Sequence, residues 1–405
     1  MAETSMVAMP PPLRETSRKA AIVGVGETDY RADYQAQRAR APGYEPPTAE
    51  GLAITAFERA LAETGLARSD IDGLCLSFLY GGPTPEEMAP HLGLAPRYTI
   101  AQGGIMAGIL PRVCADIAAG KATTVAMVYG VTPRSAGRTF GGNTYKNDNV
   151  TPPSYYYYHP WGWSSQAAHW AMTFRHYQQQ YGIDEADLGA VAVQLRRNAI
   201  AHPNAVMQAP MTIEDYLAAR YIVRPLRLFD MCMVNDGAVC LIVTTADRAR
   251  DLPRPPVLVA GWGEARVKTG KFDALIRQRL RPQLADAIGQ TLAMADLDVA
   301  AIQHFEGYDP ASFHLVNQIE GYGLVPPGEG LARFKSGDLA VGGTLPVNTG
   351  GGMMSGSYMH GWNLAVEAVR QLRHEADGRQ IAGVETSLMS VAQTDQAHPV
   401  LFTRS

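Results

Sequence analysis

Reactive sulfur is scarce in this sequence. Four cysteines, Cys75, Cys114, Cys232 and Cys240, occur in 405 residues without CxxC spacing, which excludes a disulfide framework and a zinc knuckle. All four fall in segments that read as strands or helices. Long hydrophobic runs are missing too, since no stretch approaches the ~18 apolar residues that a spanning helix needs. The opening MAETSMVAMPPPLRETSRK has prolines where a secretory leader needs a continuous apolar core. The expectation is a soluble cytoplasmic protein, without membrane association, whose residues 1–18 form a frayed tail. Neither sign of charge prevails, with 35 Lys and Arg against 39 Asp and Glu and a net charge of −4. Such a chain has no evident cationic face for counterion release, so nucleic acid is excluded as a partner. The patterns GxxxxGKS/T, GxSxG and HExxH are all missing, which removes P-loop, hydrolase-elbow and zincin chemistry. The ten histidines are scattered. His169 and His176, on one predicted helix, read as core or surface residues rather than ligands, and no metal is expected.

What the chain does have is a repeated order of elements. Ala20 to Glu27 reads as a buried strand closed by glycines, followed by a helix over 47–64 that Gly65 stops. A second strand follows Asp70, a helix is predicted over 103–120, and Thr123 to Tyr129 is a third strand. This alternation predicts a parallel, helix-covered sheet. The order then recurs. Val259-Ala260-Gly261-Trp262-Gly263-Glu264 echoes Val23-Gly24-Val25-Gly26-Glu27, and Asp298 to Ile302 is matched with Asp70 to Leu74. A helix from Pro282 to Ala295, another over 361–374 and a strand from Thr386 complete the second copy. The chain therefore divides into a first half over 19–130 plus 236–250, an inserted loop domain over 131–235, and a second half over 251–405. The loop domain begins with an aromatic run, Tyr155 to Trp163, that suits either a substrate wall or an interface.

Gly24-Val25-Gly26-Glu27-Thr28-Asp29 starts like a dinucleotide fingerprint, but Asp29 stands where the third glycine belongs and would repel a pyrophosphate. A nicotinamide or flavin site is rejected. The segment Pro346-Val347-Asn348-Thr349-Gly350-Gly351-Gly352, leading through Tyr358 and His360 into a helix, reads either as a tight turn or as backbone brought close to a ligand at a helix N-terminus, and the second is the expectation. The duplicated βαβαβ halves, the insertion, Asn235-Asp236-Gly237-Ala238 before a strand and NxxGG before the last long helix together resemble the thiolase superfamily over residues 20–403. Arg197 to Leu241, with Asn198-Ala199, His202-Pro203-Asn204-Ala205, Tyr216 and Pro225-Leu226, resembles its sterol-carrier-protein branch. The resemblance implies the α/β thiolase fold, five layers in the order αβαβα.

Departures from the thiolase pattern redirect the chemistry. The stretch that carries the nucleophilic Cys in thiolases is here Gln102-Gly103-Gly104-Ile105-Met106, without a thiol, and Cys114 is deeper in the helix. The catalytic His of the Gly-His-Pro motif falls on Tyr358, and Ser387 to Thr394 lacks the second Cys. Without a thiolate no acyl-enzyme forms, so thiolysis and Claisen condensation are excluded. Retro-aldol cleavage of a β-hydroxyacyl-CoA needs only a base, an acid and an enolate-stabilising pocket. Tyr308-Asp309-Pro310-Ala311-Ser312-Phe313 resembles the Tyr-Asp-x-Phe-Thr motif of thiolase-fold steroid side-chain aldolases, with Pro310, Ala311 and Ser312 departing from it. The resemblance implies Tyr308 and Tyr358 as catalytic residues. Backbone N–H groups near Gly351, Gly352 or His360 are expected to hold the substrate's thioester oxygen. It further implies a tertiary β-hydroxyacyl-CoA substrate on a steroid or other bulky ring and a ketone plus propionyl- or acetyl-CoA as products. No cofactor is required beyond the CoA thioester itself. A homodimer and a small OB-fold, zinc-ribbon, acyl-CoA-binding partner are implied in the same way. Two other readings stay open at this point: a non-catalytic thiolase-like scaffold, and a carrier of acyl-CoA or lipid.

Overall fold

The computed structural model describes residues 9–40, 43–78, 81–101, 106–138, 161, 165–266, 280–392 and 396–404. Strand β1 (Ala20–Glu27) is buried along nearly its whole length. Helices α1 (Tyr30–Ala39) and α2 (Ala49–Thr64) follow, the second capped by the Thr48 hydroxyl and ended by Gly65 at φ 71°. The glycines of β1 explain how closely α2 lies on it. A Cβ at Gly24 would stand 2.3 Å from the Ala60 carbonyl oxygen, and one at Gly26 would stand 2.1 Å from that of Ala56. The pair that imitates a dinucleotide fingerprint thus serves strand–helix packing. Next come β2 (Gly73–Phe78), α3 (Pro85–Leu92), β3 (Tyr98–Ala101), α4 (Met106–Ala118) and β4 (Thr124–Val131). The insertion carries α5 (Ala167–Tyr181), α6 (Glu185–Ile200), α7 (Ile213–Ala218) and a small hairpin of Tyr221–Val223 with Leu226–Arg227. Of the aromatic run only Trp161 is among the described residues, and it is exposed.

The chain then re-enters the sheet as β5 (Gly237–Thr245), which lies between β1 and β4 and runs antiparallel to both. The second half repeats this plan with β6 (Val257–Trp262), α8 (Leu280–Ala295), β7 (Phe305–Gly307), α9 (Ser312–Gly321), α10 (Trp362–Leu372), β8 (Thr386–Ala392) and β9 (Gln396–Arg404). In the first half β2 is parallel to β4, β4 antiparallel to β5, and β5 antiparallel to β1. In the second, β7 is parallel to β8, β8 antiparallel to β9, and β9 antiparallel to β6. The pairing is the same, strand for strand. Gly261 and Gly263 repeat the close approach as well, their Cβ positions falling 2.3 Å from Thr291 O and 2.1 Å from Ala287 O.

Two expectations need correction. The sheet is mixed rather than parallel, because the closing strand of each half enters from the opposite direction. Asp298 corresponds to Ala67, not Asp70, since both precede the short 3-10 turn that leads into the next strand.

A β1–β6 contact joins the halves into one ten-stranded sheet in the order β7–β8–β9–β6–β1–β5–β4–β2–β3, with Ala265–Arg266 paired to β9. Alternate residues of β4 show the layering. Val125, Met127 and Tyr129 face a core shared with α4, α10 and strands of both halves, whereas Ala126 and Val128 face α2 and α3. A third core packs α8 and α9 on the outer face of the second half, with α5 and α6 of the insertion. Helices therefore alternate with sheet through five layers, and α4 and α10 fill the middle one.

Candidate active site

Tyr308 leaves β7 at its C-terminal end, where its N–H donates to Ser390 O at 2.9 Å on the neighbouring β8. Two amide side chains fix its backbone. Asn348 accepts from Gly307 N–H at 2.7 Å and donates to Gly307 O at 2.9 Å, while Gln318 Nε2 on α9 donates to Tyr308 O at 2.6 Å. Tyr358 precedes α10 and is held from the first half: its N–H donates to Asn235 Oδ1 at 2.8 Å, and Asn235 Nδ2 donates to Ser357 Oγ at 3.0 Å. These clamps bring the two phenols together, Tyr308 Oη lying 3.3 Å from Tyr358 Oη. Each tyrosine is only 6% exposed. Burial, then the neighbouring Tyr308 and the Cys232 thiol, hold the Tyr358 phenol well above its ordinary pKa. It therefore stays protonated through the neutral range, and a free phenolate there is disfavoured.

The glycine turn lies beside them. Gly351 (φ 89°) and Gly352 (φ 58°) occupy left-handed backbone, and residues Gly352–Gly356 form one π turn. Space is equally demanding there, because a Cβ at Gly351 would stand 2.6 Å from the Ala199 Cβ and one at Gly352 2.3 Å from Asp309 Oδ2. Asp309 ties the turn to the Tyr308 segment by accepting from Met353 N–H at 2.8 Å and Met354 N–H at 3.1 Å. Gly351 N–H donates to Asn348 O at 2.9 Å. These donors are thus spent within the turn.

His360 comes next, at φ 54°, with its ring centroid 5.7 Å from that of Tyr358 and 6.1 Å from that of Tyr308. Its Nδ1 is buried and has no hydrogen-bond partner among the described residues. Burial lowers the imidazole pKa to about 4, so the ring is neutral at physiological pH. His314 on α9, also lowered to about 4 by burial, meets the Tyr308 ring edge-on at 6.3 Å.

Beneath the turn, Thr349 N–H donates to Glu306 Oε1 at 2.8 Å and its hydroxyl donates to Glu367 Oε1 at 2.7 Å. Burial opposes ionisation of Glu367, but the Arg379 guanidinium, 2.8 Å away, brings its pKa down to about 2. A polar cavity of about 500 Å³, lined among others by Glu27, Tyr30, His202, Glu306 and Glu367, borders the turn at Gly350, Gly352 and Gly356, and neither phenol lines it.

Cys232 is the residue the sequence hides. It lies in no helix or strand, contrary to expectation, and its amide donates to Pro310 O at 3.1 Å, beside the site. Burial and then Asp309 push its thiol up to about 12, so it is no thiolate nucleophile at neutral pH. Cys75 is likewise buried and pushed up to about 12, and Cys114 packs in the central core. Residues 102–105, within the first thiolase cysteine region, and 393–394, at the end of the second, lie outside the described residues. Among the described residues no cluster of His, Cys, Asp and Glu has the makings of a metal site. No helix there is long and apolar enough to cross a membrane.

The chain is similar to known proteins in sequence and in fold. Residues 278–398 match the family described as "Thiolase C-terminal domain-like". The chain is 33% identical to the 17-hydroxy-3-oxo-4-pregnene-20-carboxyl-CoA lyase of Mycobacterium tuberculosis, over 92% of this chain and 96% of that protein. It is 31% identical to the steroid side-chain-cleaving aldolase of Thermomonospora curvata, over 87% and 90%. Among solved structures, one titled Ltp2-ChsH2(DUF35) aldolase superposes with a TM-score of 0.81 at 27% identity, covering 96% of this chain and 98% of its own.

Proposed function

The chain belongs to the thiolase-like family of steroid side-chain-cleaving aldolases and is a carbon–carbon lyase, and on that premise we propose that it cleaves a tertiary β-hydroxyacyl-CoA by a two-tyrosine retro-aldol reaction. The carrying observation is the 3.3 Å contact between the Tyr308 and Tyr358 hydroxyls. Tyr308 takes the hydroxyl proton as the C–C bond breaks to a ketone and a thioester enolate, and Tyr358 protonates the enolate carbon. An ordinary phenol titrates near 10, so a free phenolate at pH 7 costs on the order of 4 kcal/mol. A proton hop between the two hydroxyls removes that cost, because the proton gained by one is passed to the other and no phenolate persists. The reaction has no net proton to exchange with solvent and calls for no cofactor. The bond broken is one that thiolysis cannot reach, since a tertiary alcohol cannot be oxidised to the ketone that a thiolase needs.

The substrate is the CoA thioester of a steroid or other bulky ring with a shortened side chain, and the products are a ketone and propionyl- or acetyl-CoA. The similar structure titled as an aldolase with a DUF35 chain supports a small partner protein. We assign that partner an OB-fold with a zinc ribbon that holds the acyl-CoA, on a homodimer of this chain. The test is mass spectrometry of products from the co-purified complex, beside Tyr308→Phe and Tyr358→Phe. Ketone plus short acyl-CoA is expected from the wild type, with kcat lowered about 10²–10⁴-fold in either variant. Full activity in both variants would return the tyrosines to packing roles, and intact substrate throughout would favour a scaffold or carrier.

A further inference from the structure

We propose that the His360 imidazole is a third catalytic group, donating a hydrogen bond to the thioester oxygen as it becomes an enolate. The inference rests on the retro-aldol reading and asks which donor that reading still lacks. Breaking the C–C bond moves a full negative charge onto the thioester, and a buried pocket must meet it with a donor already in place. The glycine turn does not offer its usual supply. Gly351 N–H is committed to Asn348 O, and Met353 and Met354 N–H to Asp309. Gly352 borders the polar cavity that neither phenol lines. Tyr358 N–H is committed to Asn235. Asp309, the one carboxyl adjoining Tyr308 in sequence, is turned into the glycine turn.

His360 is different on three counts. Its ring packs beside both phenols, with centroids 6.1 Å from that of Tyr308 and 5.7 Å from that of Tyr358, which puts the imidazole in the wall of the two-phenol site. Its Nδ1 is buried without a partner among the described residues, and a bound ligand can supply the missing hydrogen bond. Its φ of 54° is left-handed in a non-glycine residue, and such strain persists where the surroundings fix a side chain for a purpose. Burial keeps the ring uncharged. A neutral imidazole carries one N–H, donates it to the enolate oxygen, and does not quench the enolate by protonating it outright, so the proton goes from Tyr358 to carbon. The bond bookkeeping is unchanged: the C–C pair becomes the enolate, and His360 neither gains nor loses a proton over the cycle.

The experiment uses the complex with its partner and two readouts. One is cleavage of the β-hydroxyacyl-CoA. The other is exchange of the α-hydrogens of propionyl-CoA in D₂O without ketone, followed by mass spectrometry, which reports enolate formation alone. His360→Ala is expected to lower kcat by about 10²–10³-fold with KM nearly unchanged, and to slow α-exchange in proportion. His360→Gln, which restores a neutral N–H donor, is expected to recover part of both rates. Its thermal midpoint guards against misfolding, as does that of His360→Asn, whose side chain tolerates left-handed backbone. Cleavage and exchange in His360→Ala within about threefold of wild type, with 10²-fold as the size expected of a lost donor, would overturn the proposal. A wild-type complex that neither cleaves nor exchanges any acyl-CoA would instead sink the retro-aldol reading itself.

Discussion

Burial raises the pKa of two acidic side chains of this molecule, with different consequences. At Tyr358 it holds the phenol proton in place and disfavours a free phenolate. At Glu27, which ends β1 and faces the polar cavity, it raises the carboxyl pKa from 4.5 to about 7, against the pull of Arg370 and a hydrogen bond from the Tyr30 hydroxyl. The unfolded chain releases that proton near pH 4.5 and the folded chain only near 7. Stability from this group is therefore complete below 4.5 and is lost as pH rises to about 7, after which the carboxylate is a fixed burden. The full shift corresponds to at most about 3 kcal/mol, less for screening by water in the cavity. Glu27→Gln is expected to be more stable than wild type at pH 8 by about 1–2 kcal/mol and no more stable at pH 4.5, in urea melts at the two pH values. A loss of stability equal at both would mean that the contacts to Tyr30 and Arg370 outweigh the burden. The repeat in the sequence is no guide to this property. Glu264, the counterpart of Glu27, forms an ion pair with Arg266 instead. Tyr358 is legible as a candidate because it is counted from Asn348, and Tyr308 because the segment that follows it resembles a family motif. Cys232 is not, because what brings it to Asp309 and Tyr358 is the path of the insertion.

Elements carry the duplication more faithfully than residues do. Each half opens with a Gly-x-Gly strand covered by a helix, and in both the second glycine approaches a helix carbonyl to a Cβ distance of 2.1 Å. Contact this short admits no methyl group without moving the helix. Gly26→Ala and Gly263→Ala are each expected to destabilise the protein by about 1–3 kcal/mol, as overpacking does, in the same direction and by similar amounts. Chemical denaturation of the two variants measures it, and a neutral outcome at either site would show that its helix slides freely. Sequence periodicity and glycine spacing reveal these elements well, since α2, α8 and α10 fall close to where apolar spacing and caps put them. Strand direction is not written there. Nothing in Gly237–Thr245 says that it enters antiparallel between β1 and β4, because a strand buried on both faces has the same apolar pattern either way.

At the scale of the whole molecule, the site belongs to the joint between the halves. Both phenols come from the second half, yet the side chain that sets the Tyr358 backbone, Asn235, stands at the entry to β5 of the first. Asn235 is completely buried, and two of its three hydrogen bonds, to Tyr358 N–H and Ser357 Oγ, run across that joint, while the third closes on the adjacent Asp236 O. The same stretch meets the insertion, because Met233 N–H donates to Met353 O at 3.3 Å and Val206 N–H to Gly356 O at 2.8 Å. Asn235 is accordingly a positioning residue. Its loss leaves a buried N–H without an acceptor at about 1–3 kcal/mol, while the phenol it aims is free to shift by a fraction of its 3.3 Å separation from Tyr308. A misplacement near 1 Å is worth about 10²-fold in rate. Asn235→Ala is therefore expected to lower kcat by about that factor with a small change in KM, in a protein that still folds at 20 °C. A packing role alone would lower the thermal midpoint and leave kcat per folded molecule intact. The two outcomes separate when activity is normalised to the folded fraction, and a loss of kcat that survives this normalisation assigns Asn235 to the alignment of the proton-transfer pair.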